Sequence, residues 1–315
     1  MANLRIAVIG CGSRGRGHLK ILSAFDDTDI IAICDPIEGA RNNAGDSFNI
    51  SKRYDTIEGM LDNESLDAIF VATPAHLNGE AALPCFERGI NTLLEKPPGM
   101  SASETINLRD TAKKTGAKGM VGWNRRFHPI IVQAKKMVKE RGNITQLVGE
   151  FHKSITSLAQ SGKFPEHLMD NMFLETPIHA LDTIRYLAEA DVKEVHSVVQ
   201  RTISKYKDVH AALILFENGC VAQHIANYTT DARLERYEIH GKNISAYLEG
   251  VSRGNVFSDG TKHELTDPGS GGTVEQDRYF LDCVKSNTPV SFPAANLDEA
   301  VKTMQLADDI LDGLR

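Results

Sequence analysis

The chain is 315 residues long, more than one ordinary core accommodates, and its 41% apolar and 24% charged residues are those of a soluble globular protein with two domains. A formal net charge of −7 argues against a nucleic-acid partner, and no run approaches the roughly 20 apolar residues of a membrane span. Five scattered cysteines with no C-x-x-C pair exclude a disulfide framework and a zinc site, so no metal is expected. The opening Met-Ala-Asn-Leu-Arg leads straight into a strand with no signal-peptide core, and the expected location is cytoplasmic.

Up to about residue 122 the pattern alternates strand and helix. Apolar runs at 4–9, 29–34, 67–72, 90–94 and 118–122 read as strands, and Leu19, Leu22 and Phe25 mark one face of a first helix. Asp55 with Glu58, and Ser101 with Glu104, have the spacing of capping boxes at two further helix starts. Alternation with nearly continuous apolar strands predicts a parallel sheet covered on both faces.

After a helix at 129–140 opened by Pro129, strand-like segments follow one another at 144–153, 192–203, 207–217, 220–229, 235–241 and 244–250. Glu217-Asn218-Gly219 and Gly241-Lys242-Asn243 read as hairpin turns, because Gly and Asn tolerate positive φ. Consecutive hairpins predict a large, mostly antiparallel sheet. One helix at 176–189 interrupts it, helices at 273–286 and 296–313 close the chain, and 156–172 shows no periodicity. The fold class is therefore an α/β Rossmann domain followed by an α+β domain with an open-faced sheet. Helices can cover only one side of that sheet, which predicts a homodimer or homotetramer formed through the other.

Gly10-Cys11-Gly12-Ser13-Arg14-Gly15 is a G-x-G-x-x-G placed between the first strand and the first helix. Gly10 allows the tight turn, Gly12 the approach of a pyrophosphate, and Gly15 the close packing of helix on strand. The helix start offers free N–H groups and a partial positive charge to phosphates, with Ser13 and Arg14 beside them. Asp35 ends the second strand, 20 residues past Gly15. A carboxylate there accepts hydrogen bonds from the adenine-ribose hydroxyls and repels a 2′-phosphate, which favours NAD over NADP. Arg14 and Arg41 are the residues that would serve a 2′-phosphate instead.

Two other strand ends carry unusual residues: VATPAH at 71–76, with Thr73, Pro74 and His76, and LLEKPP at 93–98, with Glu95 and Lys96. Ligands of open parallel sheets bind beyond the carboxyl ends of strands, so these residues are expected to line the cofactor site. Lys96 there reads as an acid/base group, its pKa lowered by desolvation and by a cationic nicotinamide; the alternative is a solvated surface lysine.

VATPAH, EKP at 95–97 and VGWNRRFHP at 121–129 together resemble the Gfo/Idh/MocA oxidoreductases, relatives of glucose–fructose oxidoreductase and inositol dehydrogenase. The resemblance spans nearly the whole chain. It implies a Rossmann domain over 1–123 and a substrate and oligomerisation domain over 124–315, whose last helix packs back on the first domain. It also implies hydride transfer to or from a hydroxyl or carbonyl of a sugar, inositol or sugar derivative, with Lys96 touching the reacting oxygen. Where the family carries D-x-x-x-H-x-x-D, this chain has Glu175, His179 and Asp182.

By that resemblance His179 takes the hydroxyl proton, Glu175 orients the imidazole or binds substrate, and Asp182 supports His179 or the substrate. Glu175 and His179, four residues apart, would share a helix face. Pro177 replaces a common glycine and is tolerated only in the first helical turn. HLMDNMFLE stands where a glycine-rich run is usual. Arg125, Arg126, His128 and Lys153 supply cations suited to a polyhydroxylated or anionic ligand, or else Arg125 and Arg126 pair with acidic residues across the domain boundary. Two other functions belong to the same resemblance: an NAD-dependent glycosidase and a non-catalytic dinucleotide-binding regulator.

Overall fold

The computed structural model describes residues 2–267, 269 and 271–315, in two compact units. One comprises the residues up to Trp123 together with Val274–Val301; the other comprises Asn124–Thr273 with Lys302–Arg315.

The first unit alternates as expected: β1 (Leu4–Ile9), α1 (Ser13–Leu22), β2 (Thr28–Cys34), α2 (Glu38–Ser47), β3 (Lys52–Tyr54), α3 (Ile57–Asn63), β4 (Ala68–Val71), α4 (Asn78–Glu87), β5 (Asn91–Leu94), α5 (Ala102–Thr115) and β6 (Gly119–Val121). These six strands pair in parallel in the order β6-β5-β4-β1-β2-β3. Ile6, Val8, Ile69, Phe70, Leu93 and Leu94 are buried, which is why the central strands read as unbroken apolar runs. The short strand β3 escapes the apolar pattern because Lys-Arg-Tyr is held by pairing with β2 and by polar contacts, Lys52 and Tyr54 both meeting Glu64 and Arg53 meeting Asp46.

Ser101 caps α5 by accepting from Glu104 N at 3.2 Å, and Glu104 accepts in return from Met100 N at 2.7 Å. The cap expected at Asp55 lies one residue on. Thr56 accepts from Gly59 N, because its hydroxyl is the one placed to reach the third helical N–H.

The second unit contains α6 (Pro129–Lys139), β7 (Gln146–Ser154), α7 (Ile155–Gln160), α8 (Glu166–Met169), α9 (Met172–Glu175), α10 (Ile178–Ala188), β8 (Val192–Gln200), β9 (Val209–Phe216), β10 (Val221–Asn227), β11 (Thr229–Gly241), β12 (Ile244–Glu249), β13 (Arg253–Ser258) and β14 (Thr261–Thr266). Its eight strands run in the order β14-β13-β12-β11-β7-β10-β9-β8. All pairs are antiparallel except β7 with β10, which consecutive hairpins alone would not produce. Strand β7 inserts between β10 and β11 and so takes a parallel neighbour on one side. The turns at Gly219 (φ +84°) and Asn243 (φ +56°) are the expected hairpins.

On the inner face of this sheet Gly149 of β7 lets α10 sit close, since a Cβ there would lie 2.8 Å from Ile184 Cδ1. The outer face leaves Val198, Leu213, Tyr247 and Phe257 exposed.

The chain ends with α11 (Thr273–Lys285), β15 (Ala295–Asn296) and α12 (Leu297–Leu311). The division of the chain differs here from the 124–315 expectation, because Val274–Val301 belongs with the first unit. The physical reason is strand β15, which pairs antiparallel with β6 as a seventh strand. Arg278 and Lys285 add ion pairs with Asp27 at 2.8 and 2.7 Å. The residues of α12 divide between the units at Val301 and Lys302.

Two buried polar arrangements hold the second unit. Arg126 and Asp182, at 1% and 0% exposure, form a two-pronged pair at 2.8 and 2.7 Å, and Thr303 donates to Asp182 at 3.0 Å. Asp182 is thereby an internal counter-ion and is removed from the substrate-binding role expected of it. His210 and His224 lie under α9 and α10, flanking the Phe173 ring at 4.9 and 5.4 Å between centroids. Burial holds His210 down at about 4 and His224 at about 3.

Asp182→Ala leaves Arg126 buried without its carboxylate and should lower stability by about 3–5 kcal/mol in urea unfolding; a loss below about 1 kcal/mol would show the pair to be dispensable. The two histidines are neutral when folded and protonate more readily when unfolded. Their contribution is therefore complete above pH 6.5 and is lost as pH falls toward 4 and 3. The unfolding temperature should drop over that window, and His224→Gln should make the drop smaller.

Candidate active site

In the first unit the glycine turn closes on the end of β4. Gly10 has φ +92°, and a Cβ on it would lie 2.4 Å from the Ala72 carbonyl oxygen. A Cβ on Gly15 would lie 1.7 Å from the Gly10 carbonyl oxygen. At Gly12, by contrast, nothing stands within 4 Å. Gly12 also caps α1 without a side-chain hydrogen bond, so no capping side chain occupies the N–H groups of the first helical turn.

A cavity of about 740 Å³ adjoins the turn, lined by Gly10, Gly12, Ser13 and Arg14 on one side and by Asp35 and Pro36 at the end of β2. Ala72, Thr73 and Pro74 close it after β4. Asp35 is 8% exposed; its carboxylate accepts from Cys11 N at 2.7 Å and Ile37 N at 2.8 Å. A carboxylate has about four acceptor positions, so two remain for ribose hydroxyls. Arg41 donates to the Asp35 backbone oxygen at 2.5 Å. An open space at Gly12, a helix start and a carboxylate on one cavity wall fit a dinucleotide with a free 2′-hydroxyl.

Thr73 donates to Asn78 Oδ1 at 2.9 Å, and Asn78 donates to the Pro97 carbonyl at 3.1 Å. His76 lies half-buried in the short turn between them and is not among the cavity-lining residues. Glu95 is 3% exposed and accepts from Arg14 Nε at 2.9 Å and Nη2 at 2.5 Å. His18 places Nε2 3.2 Å from the same Glu95 oxygen and Nδ1 2.7 Å from Asp277. Burial alone would raise the Glu95 carboxyl, but Arg14 and His18 outweigh it and hold it at about 2. Burial likewise disfavours charge on His18, yet Asp277 and Glu95 lift it to about 9. Lys96 follows, half-buried. The expected Arg14 is present at the cavity with its guanidinium directed to Glu95.

The second unit gathers Lys153, Glu175 and Thr176. Lys153 Nζ donates to Thr176 Oγ1 at 2.7 Å and lies 3.3 Å from Glu175 Oε2, and Thr176 Oγ1 also contacts Glu175. Tyr228 lies beside them, donating to the Met172 carbonyl at 2.7 Å. His179 is 7% exposed in the first turn of α10.

Glu175 and His179 do not share one helix as expected. Glu175 ends α9, Thr176 breaks the helical path at φ −126°, and Pro177 caps α10. Proline cannot continue the preceding helix but suits the start of the next, so the chain is segmented there. Arg125, expected to meet substrate, is paired with Glu235 at 2.8 and 2.9 Å, and Tyr237 donates to the same carboxylate at 2.9 Å. The Arg125 and Arg126 pairs both lie inside the second unit, not across a domain boundary.

Sequence reasoning missed His18, Asn78, Asp277 and Thr176. Only His18 had a signal, three residues past Gly15 on the buried face with Leu19 and Leu22.

A family model described as "Oxidoreductase family, NAD-binding Rossmann fold" matches residues 4–123, and the GFO/IDH/MocA C-terminal domain model matches 131–247. The chain is 26% identical over 314 residues to a scyllo-inositol 2-dehydrogenase (NAD(+)) of Bacillus subtilis, covering 91% of this chain and 88% of that one. It is 25% identical to a myo-inositol 2-dehydrogenase of Thermotoga maritima, with 91% and 90% coverage. Among solved structures it is similar to a levoglucosan dehydrogenase in complex with NADH, with a TM-score of 0.86, 20% identity and coverage of 99% and 96%. With its dinucleotide-binding fold and its second domain both matched, the chain belongs to the GFO/IDH/MocA oxidoreductase family.

Proposed function

We propose that this chain is an NAD-dependent dehydrogenase acting on a CH–OH group of an inositol, sugar or sugar derivative. The observation that carries the reading is the glycine cradle opening at Gly12 onto a cavity walled by the Asp35 carboxylate. A nicotinamide cofactor held there by the Gly12 cradle and Asp35 would supply the hydride acceptor or donor for a carbinol–carbonyl interconversion.

The chain's own residues bind the cofactor and handle the proton. The N–H groups at the start of α1 receive the pyrophosphate, and Asp35 accepts from the ribose hydroxyls. The Lys96 ammonium donates to the reacting oxygen and stabilises the charge that grows there as the proton leaves. His179 acts as the base that takes the hydroxyl proton. Lys153, Thr176 and Glu175 form a joined donor and acceptor set suited to vicinal hydroxyls.

The inositol dehydrogenases among the relatives support a cyclitol or sugar substrate. One relative, a D-xylose 1-dehydrogenase (NADP(+)) of Haloferax volcanii, uses the phosphorylated cofactor, so the Asp35 carboxylate is what favours NAD in this chain. The five buried free cysteines suit a reducing cytoplasm. The exposed Val198, Leu213, Tyr247 and Phe257 suit pairing of this sheet face with a second copy of the chain.

Reduction of NAD over a panel of inositols, sugars and sugar acids tests the activity directly; silence across the panel with intact NAD binding would overturn it. Lys96→Met should lower kcat by at least about 100-fold with cofactor affinity retained, and near-normal turnover would remove the lysine from the mechanism. Asp35→Ala should weaken NAD by about tenfold or more and NADP by less, since it removes charge-assisted hydrogen bonds and a repulsion together. Equal losses measured by fluorescence titration would undo the ribose assignment.

A further inference from the structure

Lys96 stands between two tethered neighbours. On one side the Glu95 carboxylate is gripped by Arg14 and His18; on the other, the Pro97 carbonyl accepts from Asn78, itself bonded to Thr73. Gly79 brings α4 against the same loop, since a Cβ on it would lie 2.8 Å from the Pro98 carbonyl oxygen. His18 is the least expected member of this set. It is 1% exposed, and each of its ring nitrogens faces a carboxylate: Nδ1 faces Asp277 on α11 at 2.7 Å, and Nε2 faces Glu95 at the end of β5 at 3.2 Å.

A carboxylate only accepts hydrogen bonds, and a neutral imidazole has one donor and one acceptor nitrogen. A neutral His18 would therefore turn a lone pair toward one of the two buried carboxylates. Only the doubly protonated ring satisfies both. The buried Asp277⁻, His18⁺ and Glu95⁻, closed by the half-exposed Arg14⁺, then alternate in sign and sum to zero, which is how charges are held where solvent cannot offset them.

We infer that His18 is a positioning residue: as an imidazolium tied to Asp277, it holds the Glu95 carboxylate and thereby sets the position of Lys96 for proton handling. The inference rests on the reading of Lys96 as the group that meets the reacting oxygen. It assigns Asp277, 259 positions away from His18, to the support of the same loop. A histidine suits the task because its two donors lie at opposite edges of a rigid ring and so bridge two carboxylates in a fixed line. The groups facing the array are Asp277 from α11, Glu95 just after β5, Arg14 from α1 itself and the adjacent Lys96, with the Phe70 ring of β4 packed 5.5 Å from the imidazole between centroids. Because Asp277 and Glu95 lift His18 to about 9, the imidazolium persists at neutral pH and is lost only in alkaline solution.

The test needs no substrate. Nitrogen-15 spectra of the histidine-labelled full-length protein should show both His18 ring nitrogens protonated from pH 6 to about 8, the His18→Gln variant supplying the assignment. A neutral ring at pH 7 would overturn the inference. Competitive acetylation of the lysines with acetic anhydride, read by mass spectrometry across pH, reports the environment of Lys96. In His18→Gln and in Asp277→Asn its reactivity should change at least threefold, while exposed Lys136 stays as in the parent. An unchanged Lys96 profile in the folded variants would leave His18 a structural core residue and sink the positioning role. Asp277→Asn keeps side-chain volume and serves if His18→Gln fails to fold. Normal turnover of Lys96→Met would overturn the catalytic reading of the lysine while leaving the labelling result standing, so the two failures are distinguishable.

Discussion

Everything in the first unit depends on the absence of side chains at two backbone crossings. Gly10 lies against the Ala72 carbonyl and Gly15 against the Gly10 carbonyl, at separations no Cβ tolerates. These contacts bring the start of α1 onto the ends of β1 and β4. The helix N-terminus, the open backbone at Gly12 and the Asp35 carboxylate consequently line one cavity. A larger residue at Gly10 or Gly15 would move the helix and with it the cofactor site. Gly12 has no such neighbour, so its lack of a side chain serves what enters the space and not the packing of the fold.

Asp35 shows how one carboxylate serves both fold and ligand. It ties the glycine turn through Cys11 N and its own loop through Ile37 N, and it retains acceptor positions facing the cavity. Elsewhere charges that look functional turn inward. Arg125, Arg126 and Asp182 each have a partner that burial makes costly to remove. The cations that suggested an anionic ligand are thus largely balanced within the protein.

Local signals were legible in proportion to how local their causes are. The Rossmann alternation, the glycine turn, the Ser101 cap and the hairpins at Gly219 and Asn243 all follow from short-range backbone and hydrophobic rules. Strand β3, strand β13 and the edge strand β14 were not, because they are stabilised by ladder hydrogen bonds from neighbours more than by their own composition. The break between Glu175 and His179 was half legible. Pro177 announced a helix start, but whether the preceding residues were helical, and whether both side chains shared a face, depended on how α9 and α10 pack.

By itself the sequence determined the two fold classes, the dinucleotide turn with its acidic partner, and the family to which the chain belongs, since each is written in residues near one another or in motifs at fixed spacing. Tertiary structure decided which charges are available for chemistry. It assigned β15 and most of α11 to the first unit, joined His18 to Asp277 across 259 positions, and withdrew Asp182 into a buried pair with Arg126. The reason is physical: a charged side chain's role is set by the partner that offsets its desolvation, and that partner is chosen by packing, not by sequence distance.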